Sequence, residues 1–322
     1  MTDSTLLVLG GEPAPRLDRL SGRARVVHAR DAESLAALLP SADALLVWDF
    51  TTDVLRGAWP GEGRRPRWVH TASAGVDRLL FPELTDSDAV VTNARGIFEQ
   101  PIAEYVAGLV IALAKDLPGS WELQQRRQWR HRETMRLAGS RAVVAGSGPI
   151  GRAIGRTLAA LGVVVELVGR TARENDAEFH RVYGNAALKD LLPSADWVIA
   201  AAPLTEDTHG MFDAQAFSLM RPTARFINVG RGQLVVERDL TEALVKGSLA
   251  GAALDVFEEE PLPPDSPLWD APGLLVSPHM SGDTVGWRDA LAEQFMDNFD
   301  RWVAGEPLVN VVDKRLGYVP VP

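Results

Sequence analysis

Three polar residues late in the chain have types and settings suited to proton and charge chemistry. Arg231 stands in Ile227-Asn228-Val229-Gly230-Arg231-Gly232, Glu260 closes Asp255-Val256-Phe257-Glu258-Glu259-Glu260-Pro261, and His279 lies in Val276-Ser277-Pro278-His279-Met280-Ser281-Gly282. Each follows a strand-like apolar run. In open α/β sheets ligands lie beyond the carboxyl ends of strands, so all three can converge on one crevice. Together they hold what reduction of a 2-oxo acid needs. Arginine offers a planar fork to a carboxylate. Histidine exchanges a proton near neutral pH. A neighbouring carboxylate stabilises the imidazolium and raises its pKa. Taken singly, each has a plain structural alternative: a solvated strand-end charge at Arg231, an acidic loop over Glu258-Glu259-Glu260, a structural histidine at 279.

A second constellation precedes these. The apolar run Ala142 to Ala145 reads as a buried strand and leads into G-x-G-x-x-G at Gly146-Ser147-Gly148-Pro149-Ile150-Gly151. Arg152 to Leu161 then reads as a helix. In a dinucleotide site the first glycine permits a tight turn, the second lets the backbone approach a pyrophosphate, and the third lets helix and strand pack closely, with the helix N-terminus toward the phosphates. A strand-to-helix turn with no ligand is the alternative. About 20 residues past such a loop, an acidic residue normally meets the adenine ribose. Gly169 fills that slot, followed by Arg170-Thr171-Ala172-Arg173. No carboxylate repels a 2′-phosphate there, and two guanidinium groups suit one, so NADP is expected ahead of NAD. Plain surface positions for Arg170 and Arg173 are the alternative.

The elements that must carry these residues alternate between strand and helix. Leu6 to Leu9, Ala44 to Val47, Trp68 to Thr71 and Ala89 to Thr92 read as short strands, with a helix over Ala32 to Leu39, which predicts a parallel sheet. Ile102 to Leu117 reads as a long apolar helix stopped by Pro118-Gly119. From Arg141 a second unit follows, with strands at Val163 to Val168, Trp197 to Ala201, Arg225 to Val229, Ala250 to Leu254 and Leu274 to Val276. Helices are predicted over Leu188 to Leu192, Ala214 to Met220 and Glu237 to Lys246. A last helix, Trp287 to Val303, can return to the first unit. With 322 residues, 46% of them hydrophobic and 24% charged, two domains with sizeable cores are expected. A net charge of −10 argues against nucleic acid as a partner. No apolar run reaches the length of a membrane span, and no basic segment precedes the first apolar run as in a signal peptide. The absence of cysteine removes disulfides and thiolate metal sites and is compatible with the cytoplasm; no metal is expected. The cluster Arg126, Arg127, Arg130, Arg132 and Arg136 reads as a solvated helix or loop, or else as a lure for an anionic ligand or a second subunit.

Taken together, the motifs resemble those of the D-isomer-specific 2-hydroxyacid dehydrogenases, most clearly from Thr71 to His279. Ala202-Pro203-Leu204-Thr205 with Thr208 is similar to the family's loop under the nicotinamide ribose. Phe226 to Gly232 resembles its arginine signature, Ala253 to Phe257 with Glu260-Pro261 its glutamate signature, and Ser277-Pro278-His279 its histidine signature. The resemblance implies that His279 is the general acid in reduction, that Glu260 pairs with it, and that Arg231 binds the substrate carboxylate. Asp255 would hold the nicotinamide carboxamide, with Val229, Gly230 and His279 also near the cofactor. Ser73-Ala74-Gly75-Val76-Asp77 matches the family's substrate loop, where amides of Ala74 and Gly75 would receive the carboxylate. The implied architecture has two doubly wound parallel-sheet domains: a Rossmann cofactor domain, 100–285, inserted into a flavodoxin-like substrate domain, 1–99 with 286–322. The family is usually homodimeric through its cofactor domains. Two departures stand out. Pro149 has no N–H to offer a phosphate, and Gly230 replaces a more usual alanine. Trp48-Asp49-Phe50 can wall the substrate pocket or serve the core. A corepressor-like dinucleotide sensor is the alternative function, disfavoured by the complete Arg, Glu and His set; a formate-type enzyme would carry glutamine at position 260.

Overall fold

Five short strands build the first sheet: β1 (Thr5–Leu9), β2 (Arg25–Ala29), β3 (Ala44–Val47), β4 (Trp68–Thr71) and β5 (Val90–Thr92). Their order is β2-β1-β3-β4-β5 and every pairing is parallel. The computed structural model describes residues 4–11, 14–61 and 63–320. Two compact units emerge, Met1–Phe98 with Thr284–Pro322, and Glu99–Asp283. In the first unit β3 and β4 are buried throughout; β3 is accordingly an unbroken apolar run, while β4 also encloses His70 and Thr71. The strand β2 lacks such a run because it is an edge. Arg25 and His28 face solvent there, and only Ala29 is buried. Helix α1 (Ala32–Leu38) starts at a capping box of Asp31 and Ser34. Two short helices follow, α2 (Val54–Ala58) and α3 (Pro82–Thr85). The terminal helix Trp287–Ala304 belongs to this unit. Its Phe295 stacks on Trp68 with ring centroids 5.3 Å apart, and Trp302 and Phe299 extend the cluster. On the exposed side Asp289 and Glu293 pair with Arg16.

The inserted unit opens with α4 (Glu99–Ala114) and α5 (Leu117–Gln125). The sequence predicts one helix stopped by Pro118, whereas a second helix begins there. Pro118 occupies its first turn, where a missing N–H costs nothing. Asp116, in the left-handed region at φ 48°, caps it by accepting from the Gly119 N–H at 3.2 Å. Residues 126–140 contain neither helix nor strand. Arg132 ties this arm back through the Asp116 carbonyl at 2.8 Å and the Asp116 carboxylate.

Eight strands form the second sheet: β6 (Arg141–Ala145), β7 (Val164–Gly169), β8 (Arg173–Asp176), β9 (His180–Gly184), β10 (Trp197–Ala200), β11 (Arg225–Asn228), β12 (Gly251–Leu254) and β13 (Leu274–Val276). The order β13-β12-β11-β10-β6-β7-β9-β8 reverses direction beside β6, between β10 and β7. All pairings are parallel except the edge pair β8 and β9. That antiparallel hairpin is a departure from the wholly parallel sheet expected; its charged sequence, Arg173-Glu174-Asn175-Asp176, carries no apolar alternation. Helices α6 (Pro149–Ala160), α7 (Leu188–Leu191), α8 (Ala214–Leu219) and α9 (Glu237–Val245) complete the unit. The apolar face of α4, with Val106 and Val110 fully buried, packs against α6. No helix among the described residues is long and apolar enough to cross a membrane.

Candidate active site

The glycine loop sits at the reversal of strand order in the second sheet, where ligands of such folds bind. Gly146 has φ 136°, and a Cβ there would overlap the Ala201 carbonyl at the end of β10. At Gly151 a Cβ would overlap the Gly146 carbonyl, so only glycine lets the helix start so close to the turn. Gly148 is exposed, and a Cβ there would meet nothing within 4 Å. Pro149 is the first residue of α6, where its N–H would have no helical partner in any case. The proline therefore leaves the helix intact, and the amides of Ile150 and Gly151 remain at the N-terminal turn.

Ser147 points toward the end of β7. A Cβ at Gly169 would collide with the Ser147 hydroxyl, so the missing carboxylate and the serine are two sides of one packing arrangement. Arg173 at the start of β8 donates to Ser147 Oγ at 3.3 Å. Arg170 and Thr171 lie exposed in the link between β7 and β8. Across the reversal, Thr208 knits the 202–208 loop: its hydroxyl donates to the Pro203 carbonyl at 2.7 Å and accepts from the Thr205 N–H at 2.9 Å. Ala202 is buried and Pro203 exposed.

Arg231 follows β11, on a loop organised by fully buried Asn228. That amide donates to the Arg231 carbonyl at 2.8 Å and accepts from the Gly230 N–H at 3.0 Å. Val229 is buried beside it. The alanine-to-glycine departure at 230 has a packing reason, since a Cβ would come within 2.7 Å of Leu234 Cδ1. Gly232 lies so close to the Phe257 backbone that any side chain would overlap it, which brings the arginine loop against the glutamate loop.

The three consecutive glutamates separate by role. Glu258 accepts from the Glu237 N–H at 3.0 Å at the start of α9, and Glu237 accepts in return from the Glu258 N–H at 2.7 Å. Burial pushes the Glu237 carboxyl up, with Glu258 and Glu260 nearby adding to it. Glu260 instead takes the Phe257 N–H at 3.0 Å on Oε1 and meets His279 Nδ1 at 2.8 Å on Oε2. Burial alone would raise its pKa. The His279 hydrogen bond, the Phe257 amide and the charges of His279 and Arg231 outweigh burial and hold it below the usual 4.5.

His279 occupies the left-handed region at φ 50°, an uncommon conformation for a residue with a side chain. Asp255 enforces it. Its fully buried carboxylate accepts from Ser277 Oγ at 2.7 Å, the Met280 N–H at 3.0 Å and the Ser281 N–H at 2.9 Å, while its carbonyl accepts from the His279 N–H at 2.8 Å. This scaffold role is not legible in the sequence. In the first unit, Ala74 and Gly75 lie on a loop after β4, where Asn93 donates to the Ala74 carbonyl at 2.6 Å and Ser73 to the Gly75 carbonyl at 2.7 Å. Trp48 is buried, and Phe50 packs edge-on to Trp287 at 6.3 Å.

Residues 107–281 match the family model of the D-isomer specific 2-hydroxyacid dehydrogenase NAD binding domain. This chain belongs to the D-isomer-specific 2-hydroxyacid dehydrogenases. A glyoxylate/hydroxypyruvate reductase A from Photorhabdus laumondii is 34% identical over 218 residues, covering 67% of this chain and 68% of that protein. A family protein from Aeromonas salmonicida, known as a crystal structure, is similar over 97% of this chain and 100% of its own, at 35% identity and a TM-score of 0.82. The NADPH-dependent glyoxylate/hydroxypyruvate reductase from Sinorhizobium meliloti, solved with NADP and sulfate, is 29% identical, with a TM-score of 0.83 over 98% of this chain and 100% of its own. As a 2-hydroxyacid dehydrogenase the protein is an NAD(P)-dependent oxidoreductase that moves a hydride between cofactor and a 2-oxo acid. The glycine loop fits that cofactor on its own geometry: a tight turn, an exposed middle glycine and a helix start facing the switch point.

Proposed function

We propose that the protein reduces a small 2-oxo acid of the glyoxylate and hydroxypyruvate class to the D-2-hydroxy acid, with NADPH preferred over NADH. The observation that carries this reading is the His279–Glu260 contact of 2.8 Å, with Arg231 close enough to lower the Glu260 pKa. Nδ1 of His279 is engaged by a carboxylate, so Nε2 is the nitrogen left to deliver the proton to the carbonyl oxygen. Glu260 remains ionised at neutral pH and holds the ring and its positive charge. Arg231 receives the substrate carboxylate as a planar fork. When bound, the cofactor supplies the hydride. Gly146 to Gly151 would cradle its pyrophosphate. Ala202, Pro203, Thr208, Val229 and Gly230 would line its nicotinamide half. Asp255 shapes the loop behind the ring and is proposed to meet the carboxamide. Arg170, Thr171 and Arg173 would receive the 2′-phosphate in the absence of a carboxylate at Gly169. In this reading the inserted unit is the cofactor domain and the other unit the substrate domain.

We further propose a cytoplasmic homodimer. The support for association is the apolar exposure on α5 and the arm after it: Trp121 in the helix is 63% exposed and Trp129 on the arm fully so. Initial rates with glyoxylate, hydroxypyruvate, pyruvate and phenylpyruvate, each with NADPH and NADH, test the enzymatic reading. The result expected is turnover of glyoxylate and hydroxypyruvate with a higher kcat/KM for NADPH. Tight nucleotide binding with no turnover of any 2-oxo acid would favour the sensor instead.

A further inference from the structure

A carboxylate stands in the region where the 2′-phosphate is proposed to bind. Asp176, at the end of β8, has a side chain only 7% exposed, and its Oδ2 lies 3.9 Å from Arg173 Nε. That is a long ion pair; left to itself this carboxylate would draw Arg173 in more closely and place an unbalanced negative charge beside an incoming phosphate. It is not left to itself. Arg152, in the first turn of α6, meets both of its oxygens, Nη1 with Oδ1 at 3.0 Å and Nη2 with Oδ2. The amides of Glu178 and Phe179 donate to the same Oδ1 at 3.2 and 3.1 Å. Arg152 is itself held, since it donates to the Ser147 carbonyl at 3.2 Å and to Glu178 at 3.0 Å, and Arg156 balances Glu178 at 2.7 Å. The Phe179 ring seats the hairpin on α6 at Gly155, where a Cβ would stand 2.8 Å from the ring. With Asp176 satisfied from the α6 side, Arg173 reaches Ser147 Oγ, the second residue of the glycine loop.

We infer that Arg152 is a specificity-determining positioning residue: by neutralising Asp176 it keeps the Arg173 guanidinium available to a 2′-phosphate and so secures the preference for NADPH. The inference rests on the proposed NADPH reading and adds to it a residue outside the glycine signature. Hydrogen bonding to Arg152 holds the Asp176 carboxyl far below the usual carboxylate range, so this charge persists at any working pH.

Calorimetric titration of the 322-residue chain with NADPH, NADH and adenosine 2′,5′-bisphosphate tests it. Arg152→Met is expected to weaken NADPH and the bisphosphate by about tenfold or more, with NADH changed by less than about threefold. Adding Asp176→Asn to Arg152→Met removes the unbalanced charge and is expected to restore most of the NADPH affinity. In an Arg173→Gln background Arg152→Met should change the NADPH to NADH ratio little, because the group it protects is gone. Thermal melts identify any variant that fails to fold, and the double variant then carries the comparison. A wild type that prefers NADH overturns the cofactor reading and this inference with it. A wild type that prefers NADPH, with a ratio that Arg152→Met leaves unchanged or that Asp176→Asn does not restore, overturns the inference alone.

Discussion

In the proposed reaction His279 carries the proton and Glu260 holds its ring, and the residues behind them fix how. Glu260 spends one oxygen on the Phe257 amide and the other on Nδ1. Replacing His279 by Ala should lower kcat/KM by about 10²–10⁴, the usual worth of a positioned general acid, while NADPH affinity measured by calorimetry changes by no more than about threefold. A variant that keeps most of its turnover would remove His279 from the chemistry. The identities of these residues are readable because each sits in a short run with its own signature. Choosing Glu260 among three neighbours takes a resemblance, and the structure supplies a separate reason in the reciprocal bonds that commit Glu258 to α9. Arg152 and Asp176 cannot be found the same way. They are 24 residues apart and ordinary in type, and only the fold of the hairpin over α6 makes them partners.

Elements explain both what the sequence reveals and what it hides. Buried parallel strands announce themselves as apolar runs, and so β3, β6 and β10 are legible. Edge strands are not, since β2 and β8 expose charged residues on a solvent face. Pro118-Gly119 reads as a stop because proline ends helices, but the same residue also starts them, and the Asp116 cap decides which. Two consequences follow from how loops join strands. Gly151→Ala forces a Cβ into the Gly146 carbonyl, so the N-terminal turn of α6 must move, and NADPH affinity should fall by at least about tenfold even in protein that remains folded. Unaltered affinity would mean that this turn does not meet the pyrophosphate. Asp255→Asn replaces an acceptor that serves two backbone amides with a group that can donate toward one of them. A loss of about 1–3 kcal/mol in urea unfolding is expected, with a fall in kcat as the His279 loop loosens. Unchanged stability would show that the loop holds its left-handed turn unaided.

At the scale of the whole molecule, acid should act first on the unit that holds the five-stranded sheet. His70 is fully buried, its Nδ1 bonded to Thr92 Oγ1 at 2.8 Å, and burial pushes its pKa from 6.5 down to about 3. The unfolded chain takes up a proton below pH 6.5 that the native state refuses. Stability is therefore complete above that pH and declines as pH falls toward 3, by about 2–3 kcal/mol at pH 4.5. Urea midpoints between pH 7.5 and 4.5 check this, and a flat profile down to pH 4.5 would contradict it. The proposed association is tested at the same scale. Trp129 stands fully exposed on an arm that Arg132 fastens to the Asp116 turn, and sedimentation is expected to show a dimer that Trp129→Asp weakens; a monomer at micromolar concentration would contradict it.

The claim on which the rest depends is that one crevice brings a guanidinium, a paired imidazole and a reduced nicotinamide to a 2-oxo acid. Its most direct test is the oxidation of NADPH by the purified protein in the presence of glyoxylate or hydroxypyruvate, with the D-configuration of the product assigned chromatographically. The account predicts steady turnover to the D-hydroxy acid where the product is chiral, and its near-complete loss in Arg231→Ala and His279→Ala. Formation of the L-product, or turnover that survives both substitutions, would contradict it.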